Sequence, residues 1–216
     1  MKTPSQENLI SASDILKQQR TAIRQRREAL SPQERQRISQ QVCQRVLSSD
    51  YFHQATEIAL YLAAKGEVEA QSLIECALEQ DKRIYLPALD PEDKNRMHFV
   101  RYQAQDKLIL NRFGMPEPEL AEDRVIPATK LDLVLCPLVA FDEQANRIGM
   151  GGGFYDRYFA FKNTQENKAK DVTTPPLLVG LAYDFQKVRA IEPAPWDVPM
   201  SAVVSEKQIY LPHKNC

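Results

Sequence analysis

The sequence predicts an α/β domain in which helices flank a mostly parallel β-sheet. Short, nearly continuous apolar runs alternate with segments of helical periodicity. One strand–helix–strand unit fits between residues 58 and 86, a spacing typical of parallel strand pairs. At 216 residues the chain is long enough to bury about 70% of its unfolded surface as one domain. We therefore expect a loose tail over 1–10 and a single domain over 11–216.

Two polar helices are predicted before the first strand. Ser13-Asp14 can cap a helix that runs to about Ala29. Ser31-Pro32-Gln33-Glu34 is a capping box with proline at the first helical position, and it opens a second helix that ends near Ser48. The first helix is rich in Lys, Arg and Gln, so it can bury only a narrow stripe.

The apolar pattern places the remaining elements. Buried strands are predicted at 58–62, 84–86, 131–139 and 177–182, with a short strand at 202–204. Residues 97–102 alternate and fit a further strand, for which we expect antiparallel pairing. Helices are predicted at 69–80 and at about 153–161. The proline-rich and charged stretch 111–128 is predicted to be loop, and 162–176 to be a surface connection.

Composition excludes several classes of protein. The net charge of −1 gives no overall attraction to nucleic acid or to a membrane surface. No apolar run approaches the ~18 residues of a membrane span, and the first residues lack a signal-peptide core. Four scattered cysteines lack C-x-x-C spacing, which favours reduced thiols and a cytoplasmic protein: Cys43, Cys76, Cys136 and Cys216. Three scattered histidines show no zinc-site spacing.

The most informative motif is a glycine cluster. Four of the seven glycines lie within 149–153, directly after an apolar strand. Backbone N–H groups of such a turn can cradle phosphate oxygens, and open α/β sheets bind ligands at strand carboxyl ends. No Gly-Lys-Ser or Gly-Lys-Thr occurs, and Phe154 stands where a dinucleotide fingerprint requires glycine or alanine. A bend that merely packs a helix onto the sheet stays open as an alternative.

The motif and its surroundings resemble the 5-formyltetrahydrofolate cyclo-ligase family, also called 5,10-methenyltetrahydrofolate synthetases. The resemblance rests on Leu133 to Asp142 followed by Arg147-Ile148-Gly149-Met150-Gly151-Gly152-Gly153-Phe154-Tyr155-Asp156-Arg157. Further motifs occur in the expected order: Leu30-Ser31-Pro32 after the basic helix, Tyr61-Leu62 with Gly66-Glu67, Phe113 to Pro118, and Trp196-Asp197-Val198-Pro199. The resemblance implies a single Rossmann-like α/β domain.

The same resemblance implies an activity and its residues. Family members use ATP and Mg²⁺ to convert 5-formyltetrahydrofolate to 5,10-methenyltetrahydrofolate, and they release ADP and phosphate. It implies ATP binding by Arg20 and by Arg147 through Tyr155, with Arg147 as a catalytic cation, and Mg²⁺ binding by Asp156 and Asp197. Met150 through Phe154 would also face the folate, together with Leu62 and Glu67. A monomer is expected.

Two departures from the family pattern affect single positions. The family usually places a lysine four residues before the arginine matched by Arg20, where this chain has Leu16. Lys17, three residues before, shares that helix face and is the candidate replacement. The family often has a second aspartate four residues after Asp197, where this chain has Ser201, so a metal or structural role there is in doubt.

The implied chemistry fits these residue types. The formyl oxygen of an amide leaves poorly, and phosphorylation turns it into a phosphate leaving group that attack by N10 of the folate can expel. Such transfer needs positioning and charge stabilisation more than a side-chain nucleophile. Mg²⁺ prefers a few carboxylates with phosphate and water. Backbone amides, Arg20 and Arg147 suit the phosphates.

Each of these residues also has an ordinary structural interpretation. Asp156 could cap its helix or pair with Arg157, Asp197 could be a turn residue, Glu67 could be a first-turn helix charge, and the aromatic residues could belong to the core. Two other functions also remain open: a folate-binding module without turnover, and an RNA-binding protein that uses the basic first helix. The second is weakened because aromatic stacking residues do not interleave the arginines.

Overall fold

The computed structural model describes residues 12–163 and 174–212, so the predicted tail and most of the predicted 162–176 connection lie outside the described residues. Five α-helices occur in this part of the chain: α1 (Ala12–Glu28), α2 (Pro32–Leu47), α3 (Asp50–Gln54), α4 (Gln71–Glu79) and α5 (Phe154–Tyr158). The predicted capping box at Ser31 and Glu34 forms with both hydrogen bonds present. No helix within the described ranges combines the length and apolar character needed to cross a membrane.

Eight strands form the main sheet, in the order β12-β11-β10-β7-β1-β2-β3-β6. Their bounds are β1 (Glu57–Ala59), β2 (Arg83–Leu89), β3 (Met97–Tyr102), β6 (Val125–Ile126), β7 (Leu133–Pro137), β10 (Leu177–Leu181), β11 (Ala202–Val204) and β12 (Ile209–Tyr210). The five central strands pair in parallel, whereas β3, β6 and β12 pair antiparallel at the edges. Two hairpins stand apart from this sheet: β4 (Leu108–Leu110) with β5 (Pro116–Pro118), and β8 (Ala140–Phe141) with β9 (Arg147–Ile148).

Both faces of the central strands are buried because helices cover both. Leu133 and Leu135 of β7 face a core built with α2, α3 and α4. Val134 and Cys136 face the opposite core, where Phe159 packs just after α5. This burial on two sides explains why these strands read as continuous apolar runs rather than as alternating ones.

The predicted fold class is confirmed. The strand–helix–strand unit β1-α4-β2 has parallel strands, and β3 pairs antiparallel with β2. The loop prediction for 111–128 is wrong in part, because β5 and β6 lie within it. The short elements α3, β8, β9 and β12 were also not predicted. These elements are two to five residues long, too short for a periodic pattern to show.

Candidate active site

A cavity of about 370 Å³ opens at the carboxyl ends of β1, β2 and β7. Neighbouring strands β7 and β1 are not consecutive in the chain, so the crevice lies where an open α/β sheet usually binds its ligand. The predicted site residues that line it are Leu62, Glu67, Arg147, Gly149, Met150, Gly152, Gly153, Phe154, Tyr155 and Asp156. The structure therefore brings most of the predicted ATP and folate residues into one cavity.

The glycine loop forms one wall and is held from two sides. The β8–β9 hairpin leads into it, and Arg20 Nε of α1 donates a hydrogen bond to the carbonyl oxygen of Gly149 at 3.1 Å. Arg157 Nη2 donates to the carbonyl oxygen of Gly152 at 2.6 Å, and its Nε donates to that of Asn95 at 2.9 Å. These contacts fix the loop between α1 and the turn that joins β2 to β3.

The individual glycines serve different purposes. Gly151 has φ +101°, a conformation that side chains with a Cβ rarely adopt. Gly149 has no such constraint, and a Cβ placed on it would meet no atom within 4 Å. The backbone conformation at Gly151 therefore requires glycine, whereas the absence of a side chain at Gly149 leaves open space beside the cavity.

Arg147 and Asp156 form an ion pair at the floor of the cavity. Arg147 Nη2 donates to Asp156 Oδ1 at 2.5 Å, and its Nη1 donates to the carbonyl oxygen of Val198 at 2.6 Å. The Arg147 side chain is only 7% exposed, against 23% for Asp156. Asp156 thus pairs with Arg147 rather than with Arg157, the partner that the ordinary structural interpretation suggested.

Glu67 lines the same cavity as the glycine loop, together with Leu62. Its Oε2 accepts a hydrogen bond from the Ala64 backbone N–H at 3.1 Å, and the residue is buried. Burial raises the pKa of the Glu67 carboxyl above its ordinary value, and the nearby guanidinium of Arg27 opposes that rise. A buried carboxylate at a cavity wall suits a ligand that presents N–H donors.

Tyr155 brings an unpaired hydroxyl to the same cavity. Its ring packs edge-on against Phe99, with ring centroids 6.2 Å apart, and stacks on Phe159. The hydroxyl is buried and has no hydrogen-bond partner among the described residues. Burial raises the pKa of Tyr155 well above its ordinary value, so the phenol stays protonated.

Five predicted residues do not line the cavity. Arg20 and Ile148 support it, since Arg20 holds Gly149 and the Ile148 carbonyl oxygen accepts from the Val139 N–H at 2.8 Å. Gly151 shapes the loop. Lys17 is exposed on α1, in the turn before Arg20. Asp197 Oδ2 accepts from the Ala194 N–H at 2.8 Å, which is the contact of a turn residue.

The predicted metal ligands fit a Mg²⁺ ion in part. Asp156 Oδ1 is occupied by Arg147 and the Val198 N–H, while no described residue donates to its Oδ2. One free carboxylate oxygen in this cavity suits Mg²⁺, which usually takes one or two carboxylates with phosphate oxygens and water. Among the described residues no three acidic, His or Cys side chains cluster as a ready-made metal site. Asp156 is therefore the side chain that would hold the ion.

Ser201 has a structural contact after all. Its hydroxyl accepts a hydrogen bond from the Leu178 N–H at 3.2 Å, and its own N–H donates to the Leu178 carbonyl oxygen at 2.7 Å. We expected a structural role at this position to be doubtful. That expectation is wrong, because these two hydrogen bonds join the start of β11 to β10.

Several cavity residues were not predicted as site residues. Arg24 of α1 and Lys65 bring positive charge to the lining, and Tyr61 adds an aromatic wall. The β4–β5 hairpin contributes Phe113 and Met115. The Phe113 to Pro118 motif was the available signal, but the sequence alone gave no reason to place it beside the glycine loop.

Comparison with known proteins decides the family. A family model described as the 5-formyltetrahydrofolate cyclo-ligase family matches residues 13–206. The chain belongs to the 5-formyltetrahydrofolate cyclo-ligase family. A 5-formyltetrahydrofolate cyclo-ligase from Escherichia coli strain K12 is 39% identical over 188 residues, which cover 87% of this chain and 98% of the relative. One from Haemophilus influenzae is 40% identical over 181 residues, 84% of this chain and 92% of the relative.

A solved cyclo-ligase-family structure has the same fold. The 5,10-methenyltetrahydrofolate synthetase of Aquifex aeolicus is 28% identical, covers 94% of this chain and 95% of its own, and superposes with a TM-score of 0.76. These comparisons confirm the predicted family and the prediction that the chain is a cyclo-ligase enzyme. The roles of individual site residues stay predictions.

Proposed function

We propose that this protein converts 5-formyltetrahydrofolate to 5,10-methenyltetrahydrofolate with consumption of ATP and release of ADP and phosphate. One observation carries the proposal at the level of the site. A single cavity is lined both by the glycine loop and by Leu62 with Glu67. Two substrates bound in it would share a cavity with Arg147, Tyr155 and Asp156, which line it as well.

The glycine-loop side suits the triphosphate. The open space at Gly149 allows a ligand to approach the backbone, and Arg20 fixes the loop from behind. Arg24 and Lys65 add positive charge to the lining of the cavity. Catalysis of phosphoryl transfer depends mainly on such positioning and on the stabilisation of negative charge.

The lining around Leu62 and Glu67 suits the folate. The buried carboxylate of Glu67 can accept hydrogen bonds from the N–H groups of the folate headgroup, which has an aminopyrimidinone ring. Leu62, Met97 and Met115 supply apolar contacts for the flat rings.

The reaction that follows needs no protein nucleophile. The formyl oxygen attacks the γ-phosphorus and ADP leaves. The N10 nitrogen then attacks the activated formyl carbon, and the carbon–oxygen bond breaks to release phosphate. The Cys136 thiol, which lies under the influence of the Arg147 charge, is buried, and burial raises its pKa to about 12, so it stays an unreactive thiol.

We propose Asp156 as the carboxylate that holds Mg²⁺, with Asp197 as a second, family-derived candidate. The ion when bound would neutralise phosphate charge. Arg147 orients Asp156 through their ion pair, and we retain it as the predicted catalytic cation. We also propose a monomer, with no nucleic-acid or membrane partner, located in the cytoplasm. Within the described residues the cysteines Cys43, Cys76 and Cys136 are free thiols, which suits a reducing compartment.

Turnover tests the proposal directly. Purified protein mixed with ATP, Mg²⁺ and 5-formyltetrahydrofolate should form 5,10-methenyltetrahydrofolate, detected by its absorbance, with one ADP for each product. Omission of ATP is the control. Tight folate binding without ATP consumption would instead support the alternative of a binding module.

A further inference from the structure

The structure holds a completely buried arginine behind the wall of the cavity. Arg27, near the end of α1, is 0% exposed and does not line the cavity. Its Nη1 donates to the carbonyl oxygen of Leu138 at 3.2 Å, while its Nε and Nη2 have no hydrogen-bond partner among the described residues. Buried guanidinium groups normally have their donors satisfied, so this arrangement needs an explanation.

The single hydrogen bond of Arg27 does not explain its presence. The Leu138 carbonyl oxygen also accepts from Gln186 Nε2 at 2.9 Å, so it would keep a partner without Arg27. Replacement of a buried charge by an apolar side chain of similar size is often neutral or stabilising for a fold. The fold itself therefore gives little reason to keep a cation at this position.

The carboxylate of Glu67 gives a reason to keep a cation at this position. Of the acidic side chains around Arg27, the Glu67 carboxylate acts on it most strongly, although the two form no direct ion pair. Gly66, the residue before Glu67, packs closely against Arg27, because a Cβ on Gly66 would lie 3.0 Å from the Arg27 carbonyl oxygen. The guanidinium stays charged even when buried, so it acts on Glu67 as a permanent positive charge.

We propose that Arg27 is a positioning residue for the cyclo-ligase reaction, which acts from behind the cavity wall to keep Glu67 ionised and able to accept N–H groups of the folate headgroup. This inference rests on the proposed function. Burial favours the neutral form of the Glu67 carboxyl. Once protonated, this carboxyl accepts hydrogen bonds less well than the carboxylate, which has two acceptor oxygens. Other charged or titratable groups also face Glu67: Arg24 of α1, Lys65 beside it, Tyr61 after β1, Tyr155 of α5 and Tyr183.

The pH dependence of folate affinity follows from this charge. Without Arg27, the pKa of Glu67 rises further, and a larger fraction of the enzyme carries the neutral carboxyl below that pKa. The KM for 5-formyltetrahydrofolate should then be high at acid pH and recover as the pH rises. The wild type should show a much flatter profile over the same range.

The experiment compares Arg27→Met, Arg27→Lys, Glu67→Gln and wild type from pH 6 to pH 9, with ADP release as the readout. At pH 6 we expect Arg27→Met to raise the KM for 5-formyltetrahydrofolate severalfold, by at most the roughly tenfold change that one pKa unit can produce, and to approach wild type by pH 9. Its thermal midpoint should equal or exceed that of wild type. Arg27→Lys should restore most of the affinity, and Glu67→Gln should give a raised KM without this pH dependence.

Clear outcomes would overturn the inference. A KM ratio between Arg27→Met and wild type that is the same at every pH would show a role in shape rather than charge. If Arg27→Met fails to fold, the folded Arg27→Lys variant takes its place. A loss of folate affinity in Arg27→Lys that is the same at every pH would have the same meaning. Arg37→Met, which removes an exposed arginine of α2, is the control. Inactive wild type would instead refute the proposed function.

Discussion

Arg20 and Gly149, 129 positions apart in the chain, are joined by a hydrogen bond of 3.1 Å from the Arg20 Nε to the Gly149 carbonyl oxygen. This contact ties the basic first helix to the glycine loop. It explains how a helix that reads as a solvated surface contributes to a cavity between the sheet and the loop. The arrangement makes the N-terminal helix part of the nucleotide site that we propose.

Arg20→Met should weaken nucleotide binding. The change removes a charged donor from the loop, and a hydrogen bond to a charged group contributes about 1.5–3 kcal/mol, so the KM for ATP should rise about tenfold or more. Steady-state kinetics at saturating folate measure the change. Gln25→Met, on the exposed face of α1, is the control. A KM for ATP equal to that of wild type would separate α1 from the nucleotide site.

Lys17→Met should have a smaller effect on the KM for ATP than Arg20→Met, because Lys17 is exposed and does not line the cavity.

Gly149→Ala should affect the ligand rather than the fold. The added methyl meets no atom of the chain within 4 Å, so the free energy of unfolding should stay within about 0.5 kcal/mol of wild type. The methyl would occupy the space where we place the triphosphate, so the KM for ATP should rise. Thermal denaturation and kinetics test both parts. An unchanged KM would mean that no ligand approaches the backbone at Gly149.

Asp156→Asn should impair metal use while the fold persists. The amide oxygen can still accept from the Val198 N–H, but the negative charge that we assign to Mg²⁺ is lost. We expect kcat to fall about 100-fold, or ~2.7 kcal/mol in the barrier, and the Mg²⁺ concentration for half-maximal rate to increase. Circular dichroism checks the fold. Wild-type activity in this variant would remove Asp156 from the metal site.

Asp197→Ala separates a turn role from a metal role. Loss of the hydrogen bond from the Ala194 N–H should lower the free energy of unfolding by about 1 kcal/mol. Denaturant unfolding measures this loss. A Mg²⁺ requirement raised as far as in Asp156→Asn would support Asp197 as a second ligand, whereas stability equal to wild type would contradict the turn contact.

Asp90 should make the free energy of unfolding change with pH in the acid range. Hydrogen bonds from the Asp93 N–H, from His98 and from the Glu92 N–H lower the pKa of Asp90 to about 2. Because the folded pKa is below the unfolded value of about 3.9, the contribution is full above pH 4 and is lost as the pH falls towards 2. Asp90→Asn should therefore melt below wild type at pH 7, with a difference that shrinks near pH 2. A difference constant with pH would contradict this linkage.

Much of the fold could be predicted because burial on two faces leaves a clear apolar signature. The runs at Leu133 and Leu177 gave the central strands, and the box at Ser31 gave the start of α2. The hairpins were missed because strands of two or three residues, such as Pro116–Pro118, carry no periodic pattern. Their pairing depends on distant contacts, such as the hydrogen bond from the Leu89 N–H to Glu117 Oε2.

Site residues that stand in local sequence motifs could be predicted. Residues whose position depends on three-dimensional packing could not. The glycine loop, Leu62 and Glu67 stand in recognisable motifs. Arg26 and Arg27 are adjacent arginines in one basic helix, yet Arg26 is exposed and Arg27 is completely buried. No pattern along the chain separates them, because burial at Arg27 arises from the Leu138 segment 111 positions away.

We propose that a phosphoryl group passes from ATP to the formyl oxygen of the folate while both substrates are bound in this cavity. Turnover of 5-formyltetrahydrofolate labelled with ¹⁸O in the formyl group, followed by mass spectrometry of the released phosphate, tests it most directly. We predict one ¹⁸O atom in each phosphate, formed together with 5,10-methenyltetrahydrofolate. Product formation with unlabelled phosphate would contradict the account.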